Sequence, residues 1–204
     1  MKFRILVAML AFAVALSTHT AFAQELLTNP GFEDTNADTN YGDNWGSFGA
    51  AGFHAFFGPN GHASLFPDNV NNSGGVYQLG ISGTPGLEYH FDLLDTRIEA
   101  NFDANLEFGL EFYLGDDATQ ISAVLQNIPD PGVEVNGGVY GMMAVAPAGT
   151  VFVRPIIKYD SVGSNGGQHN VFVFDASLTA VPEPGTFLLA GCAGLWCVTS
   201  RRRP

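Results

Sequence analysis

The chain has 204 residues, of which 46% are hydrophobic and 14% charged, and its formal net charge is −12 at pH 7. Five of the eight basic residues lie near the two ends, so residues 24–180 contain 19 acidic and three basic residues, a formal charge of −16. Nucleic-acid binding depends on neutralising phosphates with Lys and Arg. This composition therefore excludes a nucleic-acid partner.

The first residues follow the plan of a secretory signal peptide. Lys2 and Arg4 precede an uncharged apolar run over residues 5–16, and Ala21-Phe22-Ala23 then fits the small-x-small cleavage pattern. We therefore predict a helical signal peptide over residues 1–23, cleavage between Ala23 and Gln24, and export of the rest. An uncleaved N-terminal anchor is the alternative, although the run is short.

The last residues, 181–204, consist of three parts in a fixed order. Pro182, Glu183 and Pro184 come first, then an uncharged segment over residues 186–200, then Arg201-Arg202-Arg203. The prolines cannot continue a preceding strand or helix. As a helix, residues 186–200 would be about 22 Å long against a hydrocarbon core of about 30 Å, and snorkelling arginines would supply part of the difference.

We therefore predict a short transmembrane helix over residues 186–200, with Arg201–Arg203 on the cytoplasmic side. A short buried helix of the preceding domain is the alternative. The order of parts resembles the PEP-CTERM sorting signal of bacterial exported proteins. The resemblance implies transient anchoring in the inner membrane and processing near Pro182–Pro184 by an exosortase-type enzyme. The protein would then reach the cell surface or be secreted; whether the tail is cleaved or stays as an anchor is open.

Residues 24–180 alternate between strand and turn patterns and contain no convincing helical stripe. In the clearest strand Leu106, Phe108, Leu110, Phe112 and Leu114 share one face. Tyr89, Phe91 and Leu93 alternate with His90 and Asp92 in a second. Further strands are predicted at 53–57, 76–81, 120–128, 139–145, 151–159 and 170–178, with Pro155 indicating an edge or a bulge. The sequence predicts an all-β domain, an antiparallel β-sandwich of the jelly-roll type, with a barrel as the alternative.

Three fragments resemble the galactose-binding-like jelly rolls, a group that includes carbohydrate-binding modules. They are residues 27–34 followed by Trp45, residues 61–65, and residues 172–178, where Ala176 replaces the second Asp of the usual pair. The resemblance implies a structural Ca²⁺ held by Glu33 and Asp175, with backbone carbonyls near Ser64. Oxygen ligands from both ends of a domain would fix those ends under one ion. The alternatives are a solvated turn carboxylate for Glu33 and a capping or edge residue for Asp175.

No catalytic residues are predicted. Glu107 and Glu111 lie on the outward face of one strand, about 13 Å apart, whereas glycosidase carboxylate pairs need about 5–9.5 Å. We interpret them as solvated surface charges. The histidines at 54, 62, 90 and 169 lack metal-ligand spacing and are interpreted as surface or capping residues. The sequence therefore indicates a protein that is not an enzyme.

A sugar site needs aromatic platforms beside hydrogen-bonding groups. The candidate platforms are Tyr41, Phe53, Phe56, Phe57, Tyr77, Tyr113 and Phe152. Among them we select Phe152 and Tyr113, together with Arg154, as ligand-binding residues. Two functions stay open: an exported surface or matrix protein whose domain has no dedicated ligand, and a carbohydrate-binding module that retains extracellular polysaccharide. A row of exposed aromatic side chains on one sheet would favour the second.

Overall fold

The computed structural model describes residues 23–33, 42–49, 51–54, 61–66, 73–100, 102, 104–115, 119–160 and 170–181. Most of the predicted signal peptide, the Pro182–Pro184 motif, the predicted helix over 186–200 and Arg201–Arg203 lie outside these ranges. Within them, no helix has the length and apolar character needed to cross a membrane.

The described residues form twelve β-strands, and nine strand pairings among them have a described register, which is antiparallel in each. The strands are β1 (Gln24–Glu25), β2 (Trp45–Gly49), β3 (Ala51–His54), β4 (His62–Leu65), β5 (Ser73–Gln78), β6 (Ile81–Ser82), β7 (Glu88–Ile98), β8 (Asn105–Tyr113), β9 (Gln120–Ile128), β10 (Val135–Val145), β11 (Phe152–Asp160) and β12 (Val171–Val181).

The strands form two sheets. Sheet A has the order β10-β7-β12-β4-β3, with β1 added beside β12, and sheet B has the order β2-β5-β11-β8-β9, with β6 added beside β11. From β9 onward each successive strand joins the other sheet, and the last two strands occupy central positions. The prediction of an all-β antiparallel sandwich is confirmed.

The core lies between the two sheets. Leu106, Phe108, Leu110 and Phe112 are all fully buried, as their alternation in β8 predicts. Aromatic rings of β7 meet those of β8 across the interface: the ring centroids are 5.9 Å apart for Phe91 and Phe108, and 6.3 Å apart for Tyr89 and Phe112. Burying these large rings contributes apolar surface that holds one sheet against the other.

Two apolar residues at the ends of predicted strands lie outside the observed strands and are exposed. Leu114 is 38% exposed, because β8 ends at Tyr113 and the Leu114 amide instead donates to the Thr119 carbonyl at 3.0 Å. Val151 precedes β11 and is also exposed, and its amide donates to the Tyr113 carbonyl at 2.9 Å. The Leu114 bond lies in the connection between β8 and β9, and the Val151 bond reaches the last residue of β8 just before β11 begins.

Pro155 was predicted to mark an edge or a bulge; it lies in a central strand, so of these two settings the edge is wrong. It is paired with Leu110 of β8 on one side of β11. On the other side the partner strand is interrupted, since β5 ends at Gln78 and β6 begins at Ile81. A proline cannot donate a ladder hydrogen bond, and the gap between β5 and β6 lies beside it.

The start of the domain is fixed to its last strand. Gln24 and Glu25 pair with Ala180 and Thr179. The Glu25 carboxylate also accepts hydrogen bonds from the Leu27 and Leu178 amides, at 2.8 and 3.0 Å, and from the Ser177 hydroxyl at 2.6 Å. A single carboxylate therefore binds both ends of the domain together.

A second contact closes the loop that follows β1. The Asn29 side chain donates to the Glu33 carbonyl at 2.7 Å and accepts from the Glu33 amide at 2.9 Å. The Trp45 indole N–H donates to the Asn29 carbonyl at 2.8 Å, and its ring packs on buried Phe32 with a centroid distance of 4.8 Å. Trp45 is thus a core residue.

We expect residues 24–180 to fold alone, and Phe108→Ala to lower their free energy of unfolding by about 3–5 kcal/mol, because the ring is fully buried between the sheets. Denaturant unfolding followed by far-UV circular dichroism measures this. Leu114→Ala is the control and should cost well under about 1 kcal/mol. Equal losses in the two variants would contradict the placement of Phe108.

Candidate functional site

The outer face of sheet B carries a set of aromatic and charged side chains. Register places Phe152 opposite Tyr113, Arg154 opposite Glu111, and Lys158 opposite Glu107 along β11 and β8. These residues alternate with the buried ones of the same strands, so they point away from the core. The structure thus brings the three predicted ligand-binding residues, Phe152, Arg154 and Tyr113, onto one face.

Arg154 lies at the centre of this face. Its Nε donates to a Glu111 carboxylate oxygen at 2.6 Å, and its Nη2 contacts the same oxygen at 2.5 Å. Nη2 also contacts the Tyr113 hydroxyl, which donates to Glu111 at 2.9 Å. The guanidinium carbon lies 4.4 Å from the ring centroid of Tyr113 and 5.1 Å from that of Tyr77. Arg154 is therefore held between two rings and one carboxylate.

Glu111 is not the solvated charge that the sequence indicated. Its side chain is only 11% exposed and that of Arg154 is 23% exposed. A carboxylate this far from water needs a charged or hydrogen-bonding partner. Arg154, 43 residues further along the chain, provides it. The interpretation of Glu107 as a solvated charge agrees better with the structure, since its side chain is 30% exposed. Its carboxylate nevertheless forms an ion pair with the Lys158 Nζ at 3.2 Å.

An aromatic platform adjoins Arg154 on the β2 side. Phe48 is 38% exposed, and its ring centroid lies 6.3 Å from that of the partly exposed Tyr77. Gly46 lies under the Tyr77 ring, where an added Cβ would come within 2.6 Å of the ring. This glycine lets the ring lie close to the sheet. Sequence reasoning missed Phe48, although its alternation with Trp45 and Ser47 was a signal.

The other aromatic residues predicted as sugar platforms include one buried ring, Tyr113, and one partly exposed ring, Phe152. Tyr113 is 3% exposed, because Arg154 lies against its ring, so its described contacts support Arg154. Phe152 is partly exposed. Tyr41, Phe56 and Phe57 lie outside the described residues, and for Phe53 only the position in β3 is described.

Of the two histidines whose side chains the structure describes, one differs from prediction. His62 is 1% exposed and packs between Phe172 and Phe174, with ring centroids 5.4 Å from each, so it is a buried residue rather than a surface or capping one. His90 contacts Glu88 at 2.7 Å on the outer face of sheet A. His169 lies outside the described residues.

The predicted calcium ligands belong to two segments that the structure joins. The Ala176 amide donates to the Pro30 carbonyl at 3.0 Å, which holds Asp175 beside the loop ending at Glu33. Ser64 pairs with Phe172, three residues or about 10 Å from Asp175 along β12. Among the described residues, no three His, Cys, Asp or Glu side chains converge as a metal site would require. Calcium would depend here on two carboxylates with carbonyls and water, and it stays a prediction.

The electrostatics of Asp175 are unfavourable to its charge. Burial raises the pKa of this carboxyl above its usual value, the Ala176 amide lowers it in part, and the nearby carboxylates of Glu25, Asp95 and Glu33 raise it further. Several negative charges therefore concentrate where the start and the end of the domain meet.

Comparison with known structures supports the fold. A Stig cyclase from Fischerella sp. TAU is similar at 15% identity, with 78% of this chain and 98% of that chain covered and a TM-score of 0.53. The enzymatically active domain of tailspike protein 4 from bacteriophage CBA120 has 10% identity and a TM-score of 0.52, with 75% of this chain covered. This chain spans only 22% of the tailspike's length. At such identities the similarity concerns the fold alone.

Carbohydrate-binding-module β-sandwiches are also among the structural neighbours. The CBM22-1 xylan-binding domain from Paenibacillus barcinonensis has 10% identity, coverage of 78% of this chain and 96% of that chain, and a TM-score of 0.46. A comparison with curated protein sequences gave no match.

The C-terminal segment matches a known signal. Residues 180–203 fit the PEP-CTERM protein-sorting motif, which confirms the resemblance seen in the sequence. The match indicates an exported protein that carries a C-terminal membrane-anchoring sorting signal.

We expect Asp175→Asn to raise the Tm of residues 24–180 at neutral pH when a chelator is present. The raised pKa means that the protonated carboxyl favours the folded state. This stabilisation is present below the unfolded pKa of about 4 and is lost as the pH rises through the folded pKa. The gain should therefore vanish near pH 3. Asp160→Asn, at an exposed carboxylate, is the control and should give no gain.

Calcium provides a separate arm of the same experiment. An ion bound at Asp175 in the native state would raise the Tm of the unmodified fragment by linkage and leave that of Asp175→Asn unchanged. No response of the unmodified fragment to calcium would contradict the calcium prediction.

Proposed function

We propose that the exported domain binds polysaccharide on the outer face of sheet B, at the cell surface or in the extracellular matrix, and that it acts as a binding module without catalysis. The observation that carries the proposal is the Phe48–Tyr77 platform next to Arg154. A flat apolar ring complements a pyranose face, and a guanidinium is a strong donor to sugar hydroxyls.

The ionisable groups of this face support binding rather than catalysis. Glu111 is held by Arg154 and Tyr113, and Glu107 by Lys158. A carboxylate engaged in this way is poorly placed to donate or abstract a proton during glycoside cleavage. The cyclase and tailspike similarities concern the fold, so they assign no reaction to this chain.

A second candidate function rests on the same cluster. Arg154, Glu111 and Tyr113 satisfy one another, as they would in a brace between β8 and β11. A domain with no dedicated ligand, exported as a structural component of the surface or matrix, would need nothing more. Binding assays separate the two candidates.

Replacing Phe48 and Tyr77 together by Ala should weaken binding about tenfold or more, because the platform is lost. A glycan array first identifies a retained polysaccharide, and affinity electrophoresis then compares the variants. Phe66→Ala is the matched control, since Phe66 is 37% exposed and follows β4 of sheet A. Unchanged retention in the double variant would contradict the assignment of this face. No retention of any glycan by the unmodified protein would favour the structural role.

The tail is expected to be processed by an exosortase-type enzyme near Pro182–Pro184, since prolines keep that backbone extended. Glu183→Ala should leave the precursor anchored and uncut. Neutral residues at Arg201–Arg203 should weaken anchoring instead, because three arginines resist transfer across the bilayer. Cell fractionation and mass spectrometry distinguish these results. A mature protein that still contains residues 186–204 would show that the tail is a permanent anchor.

A further inference from the structure

Every basic side chain of the domain is paired with a carboxylate. Residues 24–180 contain three basic residues, Arg97, Arg154 and Lys158. Arg97 contacts Glu134 at 3.1 Å, and the other two contact Glu111 and Glu107 at 2.5 and 3.2 Å. Arg154 and Lys158 lie on the face proposed to bind polysaccharide. The cations of that face are therefore neutralised before any ligand arrives.

This charge arrangement discriminates between classes of polysaccharide. The segment's formal charge of −16 repels a uronate- or phosphate-bearing polymer at long range. At short range the polymer's anionic groups would have to compete with Glu111 for Arg154. An uncharged polysaccharide meets neither barrier.

Arg154 nevertheless keeps donor capacity for a neutral ligand. Its described hydrogen bonds and ion pair use Nε and Nη2, whereas a guanidinium has five N–H donors. The side chain is 23% exposed, so it is partly open to solvent beside the Tyr77 ring. A sugar hydroxyl can accept a hydrogen bond from such an N–H group, and this does not require an unpaired positive charge on the protein.

Building on the proposed function, we infer that this face takes uncharged polysaccharide, and that Glu111 determines this specificity by neutralising Arg154. Glu111 acts through Arg154 and is a positioning residue rather than a ligand contact. Replacing the Glu111 carboxylate should therefore change whether acidic polysaccharide is bound. The loss of a purely structural residue would not have this effect.

The test uses the full-length chain in mild detergent and affinity electrophoresis against two panels. The neutral panel is xylan, β-1,3-glucan and mannan; the acidic panel is polygalacturonate and alginate. The unmodified protein should be retained by a neutral polymer and by no acidic one. Glu111→Gln keeps the shape and hydrogen-bonding oxygen but exposes the Arg154 charge, so its retention by polygalacturonate should rise about tenfold at low salt and disappear at about 0.5 M NaCl.

Glu88→Gln is the charge-matched control, because it removes one negative charge beside His90 on the outer face of sheet A. It should give no gain. Glu107→Gln is the second variant. This variant leaves Lys158 unpaired from Glu107 at a more solvated position of the proposed face. Acidic polymers should retain it more strongly than the unmodified protein, even if Glu111→Gln fails to fold.

The outcomes separate the two levels of the proposal. Retention of the unmodified protein by acidic polymers would overturn the specificity while leaving polysaccharide binding intact. Failure of both folded variants to gain acidic retention, or an equal gain in Glu88→Gln, would overturn the role of the ion pairs. Retention by neither panel would remove the proposed function itself.

Discussion

The structure depends on the insertion of the last two strands into the centres of both sheets. β11 lies between β8 and the β5–β6 pair, and β12 lies between β7 and β4 with β1 beside it. Neither sheet is complete until these strands are added, so the contacts that close the core are distant in sequence. Folding of such a topology is slow, because loop-closure entropy opposes these contacts before they form. The sorting-motif match begins at Ala180, within β12.

The central position of β11 also creates the proposed site. Only a strand with neighbours on both sides can place one side chain between rings from two other strands. Arg154 is such a residue, with Tyr77 of β5 on one side and Tyr113 of β8 on the other. The ion pairs to Glu111 and Glu107 fit a single β8–β11 register, since a one-residue slip would turn these side chains toward the core. Such pairs are weak evidence of net stability, because the cost of removing two charges from water can exceed their mutual attraction.

The two chain ends of the domain meet at a different place. Glu25 accepts hydrogen bonds from Leu178 and Ser177, and the loop closed by Asn29 is tied to Ala176 through the Pro30 carbonyl. Hydrogen bonds to a carboxylate are stronger than neutral ones. Burial, and then the nearby carboxylates of Glu25, Asp95 and Glu33, raise the pKa of Asp175 in the same region. The same concentration of oxygen atoms gives the calcium prediction its physical basis.

The sequence by itself determined the features that depend on local pattern. The order of apolar segment, prolines and arginines indicated the sorting signal, and strict alternation located the core faces of β7 and β8, because side chains of a strand alternate between faces whatever its partners. Alternation also placed Arg154, Phe152 and Tyr113 on outward faces, but it does not specify which strands are neighbours.

Which strands lie side by side, and so which side chains meet, was decided by the tertiary structure alone. Glu111 can be buried because Arg154, 43 residues away in sequence, pairs with it. The Tyr77 ring lies close to the sheet because the residue beneath it on the adjacent strand is Gly46. His62 is buried because β12 brings Phe172 and Phe174 beside it. Pro155 fits a central strand because the gap between β5 and β6 lies beside it, where no ladder donor is needed. In each case the environment of a residue depends on cross-strand pairing over a long sequence separation, which a period-two pattern cannot encode.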